Sequence, residues 1–319
     1  MIINKAKTRH TMQFLKPIYT ILFLIPFIIL LASCDDNGVT GPDDPSQVPS
    51  LPDFSQLQME TGIFTHGGVA KEAGLETGIL SALSAFSDVR PDAGQQTESD
   101  PFQLAAFLVN TVETGYLLHN TYTSFFTLSV APGIVQVSGN EFLWEFSAVD
   151  PELGESMDIT VIAAVQGEEV EWTAIAAADF EEGGFEEQQV IEGISAFDGS
   201  SGEWSLNFDV PEQGFTFESN AIWEADNEQL VALDISTSLT ELQEDFIQNT
   251  DGFYTLDGTD AAIDNGQIQS PEFEDFDLFG DIDITQPFTV TWDTEAGSGT
   301  VSIDGHELCW DENRQAVDC

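Results

Sequence analysis

Ser195, in Gly193-Ile-Ser-Ala-Phe197, is where a nucleophile would be sought first. A hydrolytic triad needs that hydroxyl, a base within reach and an acid to orient the base. The segment lacks the second glycine of a nucleophile elbow and lies in strand-like sequence, not at a strand-to-helix turn. The candidate bases His66, His119 and His306 are scattered along the chain. His119 falls inside an apolar helical pattern and reads as a satisfied core residue. Carboxylate pairs for glycoside chemistry need only two acids, and with 57 Asp and Glu none is singled out. There is no Gly-rich phosphate loop, and Lys and Arg are too scarce to hold phosphate. A hydrolase is therefore the weakest reading, and the chain is expected to be no enzyme, with no cofactor and no metal.

Two other groupings bear on ligands. Asp275, Asp277, Asp281 and Asp283, or Asp257 and Asp260, suggest calcium, but neither set has the alternate acids, central Gly and terminal Glu of a helix-loop-helix site. In a chain this acidic, such pairs arise by chance. The six tryptophans all fall in the C-terminal, strand-rich part. Trp144, Trp172, Trp204, Trp223 and Trp292, set in register on one face, are a candidate pocket lining for an apolar or sugar ligand. The plainer reading is that they fill the core of a curved sheet.

The N-terminus carries a different chemistry. Lys5, Lys7, Arg9 and Lys16 precede an apolar run from Ile18 to Leu31, interrupted by Pro26. That run is shorter than the roughly 20 residues of a membrane-spanning helix, and its order is that of a secretory signal. Leu31-Ala32-Ser33-Cys34 resembles the bacterial lipobox, which implies cleavage before Cys34 and lipidation of its sulfur. An ordinary signal peptide, or a retained anchor with an incidental Cys34, is the alternative. If lipidation takes Cys34, Cys309 and Cys319 remain as an even pair outside the reducing cytoplasm. A bridge there would tie down the C-terminus. Two free thiols or a metal site are the alternatives, though only His306 lies nearby.

Charge narrows the partners. The chain has 7 basic residues and a formal net charge of −50. Four of those cations sit in the signal, leaving Lys71, Arg90 and Arg314 against every acid. Nucleic-acid binding lacks its cationic footprint, and close docking on anionic headgroups is opposed. A lipid would then be what holds the protein to its membrane. Self-repulsion destabilises a compact state, but at molar salt the Debye length is about 3 Å. The composition therefore reads as adaptation to salt.

The elements that must position these residues follow from periodicity. We read residues 1–33 as signal peptide, 34–55 as a flexible acidic, Pro-rich tether, and 56–319 as one folded domain. Within it, 56–133 is the helical part and 134–319 the antiparallel β part. Glu113 is the one acid between 101 and 139, which marks burial. Asp100-Pro101 is a cap and first-turn pair, opening a long helix interrupted near Gly115. A weaker helix is predicted over 69–86. From 134 the period becomes two, with strands at 142–146, 157–165, 170–176, 188–197, 204–208, 215–224, 229–236, 288–292 and 301–303. The segment 238–287 reads as a short helix and a long acidic loop. About nine strands with short turns must curl to manage their edges. The expected fold is α+β, mainly β: an up-and-down meander forming a strongly curved sheet or incomplete barrel, with the helical region packed on it.

Ser138-Gly-Asn-Glu-Phe-Leu-Trp-Glu-Phe146, Phe197-Asp-Gly-Ser-Ser-Gly-Glu-Trp204 and the ending Cys309-Trp-Asp-Glu-Asn…Asp-Cys319, together with the lipobox, resemble segments of uncharacterised envelope lipoproteins of salt-adapted bacteria. The resemblance implies a lipid-anchored place in the cell envelope, at the outer membrane or cell surface. Asp35 after Cys34 leaves the inner membrane open. It transfers no activity. The expected role is a non-enzymatic interaction or structural one, with a half-barrel carrier for an apolar or carbohydrate ligand as the alternative.

Overall fold

In the computed structural model, the described residues are 48–49, 57–64, 100–128, 134–149, 156–179, 184–211, 214–226, 229–241, 246–270, 279 and 282–319. The predicted 69–86 helix, the signal, Cys34 and nearly all of the tether lie outside them.

The helix α1 (Pro101–Leu128) starts where the capping pair places it. The Asp100 carboxylate accepts the Phe102 and Gln103 backbone N–H groups at 3.0 and 3.4 Å, so two orphan donors of the first turn are satisfied. Across residues 101–123 only Gln103, Asn110, Glu113, Leu117 and Leu118 escape full burial. Such a helix cannot be a surface element. It is a core component covered on several sides.

The expected interruption at Gly115 is overturned: α1 runs unbroken through it. A Cβ at that position would sit 2.9 Å from Thr237 Oγ1. The glycine lets helix and sheet approach closely. It does not break the helix.

The sheet is an antiparallel meander of fourteen strands in sequence order. They are β1 (Ile134–Ser138), β2 (Glu141–Val149), β3 (Ser156–Gln166), β4 (Glu169–Asp179), β5 (Phe185–Ala196), β6 (Ser201–Val210) and β7 (Phe215–Asp226). Then follow β8 (Gln229–Glu241), β9 (Phe246–Asp257), β10 (Asp260–Gln269), β11 (Phe288–Asp293), β12 (Gly299–Ile303), β13 (His306–Trp310) and β14 (Ala316–Val317). β1 and β14 do not pair, so the curved sheet stays open. One edge is a strand of two residues, short enough to offer little template for aggregation.

The predicted helix and loop over 238–287 are corrected. β8 continues to Glu241, and β9 and β10 fill most of the remainder; residues 271–278 lie outside the described set. The inner face of β9 carries Thr250, Gly252 and Tyr254, while Ile247 and Phe253 point out. Its polarity pattern is thus partly inverted, which hid the strand.

Contacts along α1 give its path. Phe102 meets Trp310 of β13, and Val112 lies against Gly252 of β9. His119 reaches Ser219 of β7, and Tyr122 packs on Phe208 and Phe217 of β6 and β7. The helix crosses the inner face from β13 towards β6, opposite to the strand order.

Candidate functional site

The tryptophans come together through register. One inner row reads Phe142, Ala163, Trp172, Gly193, Trp204, Ala221, Ile235, Gly252 across β2 to β9. Large and small residues alternate, because strands about 4.8 Å apart leave no room for two indoles directly opposed in register. A second row repeats the device with Ala261, Trp292, Gly299, Trp310 and Ala316. A Cβ on Gly193, Gly202 or Gly299 would collide with Trp204, Trp223 or Trp310. The rings therefore lie across glycines, which their area covers.

The five candidate pocket residues are all buried, at 3% exposure or less. Trp144 stacks on Trp172 at 6.0 Å, Trp172 meets Trp204 at 5.8 Å, and Trp204 meets Trp223 edge-on at 6.2 Å. Trp292 lies apart from this ladder, against Tyr254 and Phe64. Four indole N–H groups donate within the protein: Trp172 to Ser195 Oγ (2.9 Å), Trp223 to the Gly199 carbonyl (3.2 Å), Trp292 to the Glu60 carbonyl (3.0 Å) and Trp310 to the Gly297 carbonyl (2.8 Å). These donors satisfy buried polar groups and do not point into a ligand space.

An open depression of about 470 Å³ occurs at the hairpin end of β2 to β5, lined by Gly139, Asn140, Phe142, Val165, Gly167, Glu168 and Phe197. None of the six tryptophans lines it.

The residues considered for hydrolysis do not converge. Ser195 is buried, accepts the Trp172 indole and donates to its neighbour's carbonyl at Ala196. His119 lies 2.9 Å from a different hydroxyl, Ser219. Burial pushes its imidazole down to about 3, so it is neutral at physiological pH. His306 is exposed on β13, and His66 lies outside the described residues.

The carboxylate sets fare similarly. No group of three metal-binding side chains occurs among the described residues. Asp257 and Asp260 flank the Gly258 turn as an exposed pair. Asp283 accepts from Thr285 and Gln286, which hold its carboxyl below the usual range. Asp275, Asp277 and Asp281 lie outside the described residues.

Cys309 and Cys319 are joined by a disulfide with Cα atoms 5.4 Å apart. The closed loop carries Arg314 to 4.6 Å above the Phe102 ring. One of the chain's few cations thus sits on an aromatic face at the start of α1.

A feature with no local sequence signal is the strap formed by residues 57–64. Its Leu57 carbonyl accepts the Tyr116 hydroxyl at 2.8 Å, and its Glu60 N–H donates to the Tyr254 hydroxyl at 3.0 Å. Thr61 Oγ1 donates to Glu113 at 2.7 Å. Phe64 packs among Phe102, Trp292 and Trp310. Burial pushes the half-buried Glu113 carboxyl up to about 7, with the Thr61 hydrogen bond pulling the other way. Tyr254 is pushed up to about 12 by burial. The partners are 52 to 232 residues apart in sequence, so no spacing rule reaches them.

Among the described residues no helix is long and apolar enough to cross a membrane. Comparisons of the chain with protein families, curated proteins and solved structures find no match.

Proposed function

We propose that this chain is a lipid-anchored, non-enzymatic protein of the cell envelope whose β domain works through its outer surface, in an interaction or structural role. The observation that carries the reading is the occupied inner face. α1 lies across it from β13 to β6, and stacked tryptophans fill the part beside β2 to β7. A carrier for an apolar or carbohydrate ligand needs a continuous space lined by such rings, and here the rings pack on one another. The anchor rests on Leu31-Ala32-Ser33-Cys34 and on a charge of −50, which favours holding the body at a membrane by lipid and not by headgroup contact.

Native mass spectrometry of the protein extracted from its own membranes tests both parts. The expected species begins at an acylated Cys34 and carries no stoichiometric ligand. A different cut or an unmodified Cys34 thiol overturns the anchor; a stoichiometric bound ligand replaces this reading with the carrier.

A further inference from the structure

The outer face holds an ordered feature that the core does not require. Ile194, Ile222 and Phe253 are 48%, 47% and 39% exposed, and all three fall in one register row. Ile194 faces Glu203, Glu203 faces Ile222, Ile222 faces Asp234, Asp234 faces Phe253, and Phe253 faces Asp264. Across β5 to β10, apolar and acidic side chains alternate strand by strand. The next row on this face is polar, with Ser205, Asn220 and Ser236 in register. The stripe is therefore narrow and runs across the strands.

Its repeat has a natural counterpart. Strands about 4.8 Å apart bring like side chains back about every 10 Å, and outward curvature spreads their tips a little further. An α-helix returns the same face every seven residues, about 10.5 Å. A helix with an apolar residue at every seventh position and Lys or Arg midway would set apolar on apolar and cation on carboxylate.

Other occupants fit the charge poorly. A second copy would bring Glu203 and Asp234 against acids of its own kind. The chain's segment 65–99 offers Lys71 and Arg90 but also Glu72, Glu76, Asp88, Asp92 and Glu98. We infer that the row of Ile194, Glu203, Ile222, Asp234, Phe253 and Asp264 docks a cationic amphipathic helix of a partner protein. This deepens the interaction reading above and rests on it, but it is independent of the lipid anchor.

The test uses the full chain in neutral detergent. The probe is a labelled synthetic helix of about three heptads, with Leu at every seventh position, Lys midway, and Ala and Gln elsewhere. Fluorescence anisotropy should show binding that I194S/I222S/F253S weakens at least about tenfold with no change in charge. E203Q/D234N should weaken it and flatten its salt dependence. A peptide of the same composition with Leu and Lys out of register should bind at least about tenfold more weakly. Failure of the registered peptide to bind overturns the inference. So does equal binding by the shuffled peptide, or by the triple serine variant once circular dichroism shows it folded. None of these results bears on Cys34, so the anchor stands or falls separately.

Discussion

Two stretches of the same inner face are packed in opposite ways. Beside β2 to β6 the sheet supplies the bulk itself: Trp144 stacks on Trp172, and Trp172 meets Trp204 with Gly193 between them in register. Beside β7 to β9 a row of small residues, Ser219, Thr237 and Thr250, runs in register with Gly252 nearby, and α1 supplies the bulk over them. Small residues lie where the helix backbone comes close. The two solutions have different weak points. The first fails when a ring is lost. The second fails when a side chain is added.

The largest effect is therefore expected from Trp204→Ala. Trp204 is 1% exposed and touches two other indoles. Its loss should cost about 3–5 kcal/mol in denaturant unfolding, and a loss under about 1 kcal/mol would mean the ladder is loosely packed. Next comes removal of the bridge by Cys309→Ser with Cys319→Ser. Closing so small a loop stabilises by about 3 kcal/mol in the chain-entropy account. The same variant should speed amide exchange at the start of α1, because Arg314 would no longer be held over Phe102.

A smaller and more diagnostic effect is expected at the helix-packed stretch. Gly115→Ala should destabilise by about 1–3 kcal/mol, since the new methyl meets Thr237 Oγ1. Thr237→Ala in the same chain should restore part of that loss. A simple sum of the two single effects would show that helix and strand do not touch there.

The smallest effect is a pH slope. Glu113 has its carboxyl raised to about 7 from 4.5. The unfolded chain therefore releases this proton first, and the folded state loses stability as pH rises from about 4.5 to about 7. Glu113→Gln removes that slope. The Tm difference between variant and wild type should shift in the variant's favour across this window and be constant above it. A difference that does not change with pH would remove Glu113 from the account.

This contrast also explains what the sequence displayed. β2 to β8 were legible because most of their inner positions are apolar, as in Trp204, Leu206 and Phe208 alternating with exposed Glu203, Ser205 and Asn207. β9 was not, because closeness to Val112 and Gly115 demands Gly252 and Thr250 on the inside while Phe253 is turned out. Hydrophobic alternation reports burial against side chains and is blind to burial against a helix backbone. The Cys309–Cys319 bridge followed from cysteine counting. The pairing of Gly193 with Trp204, and of Thr61 with Glu113, depends on register and long-range folding that no local pattern encodes.

α1 packs across the concave face, and whether it stays there is open to measurement. Hydrogen–deuterium exchange of residues 101–123 in the intact protein tests it directly. These amides are expected to exchange only through global unfolding, as slowly as those of β7 to β9. Faster exchange of the helix, with the strands still protected, would contradict this and mean that α1 leaves the sheet and opens a cavity.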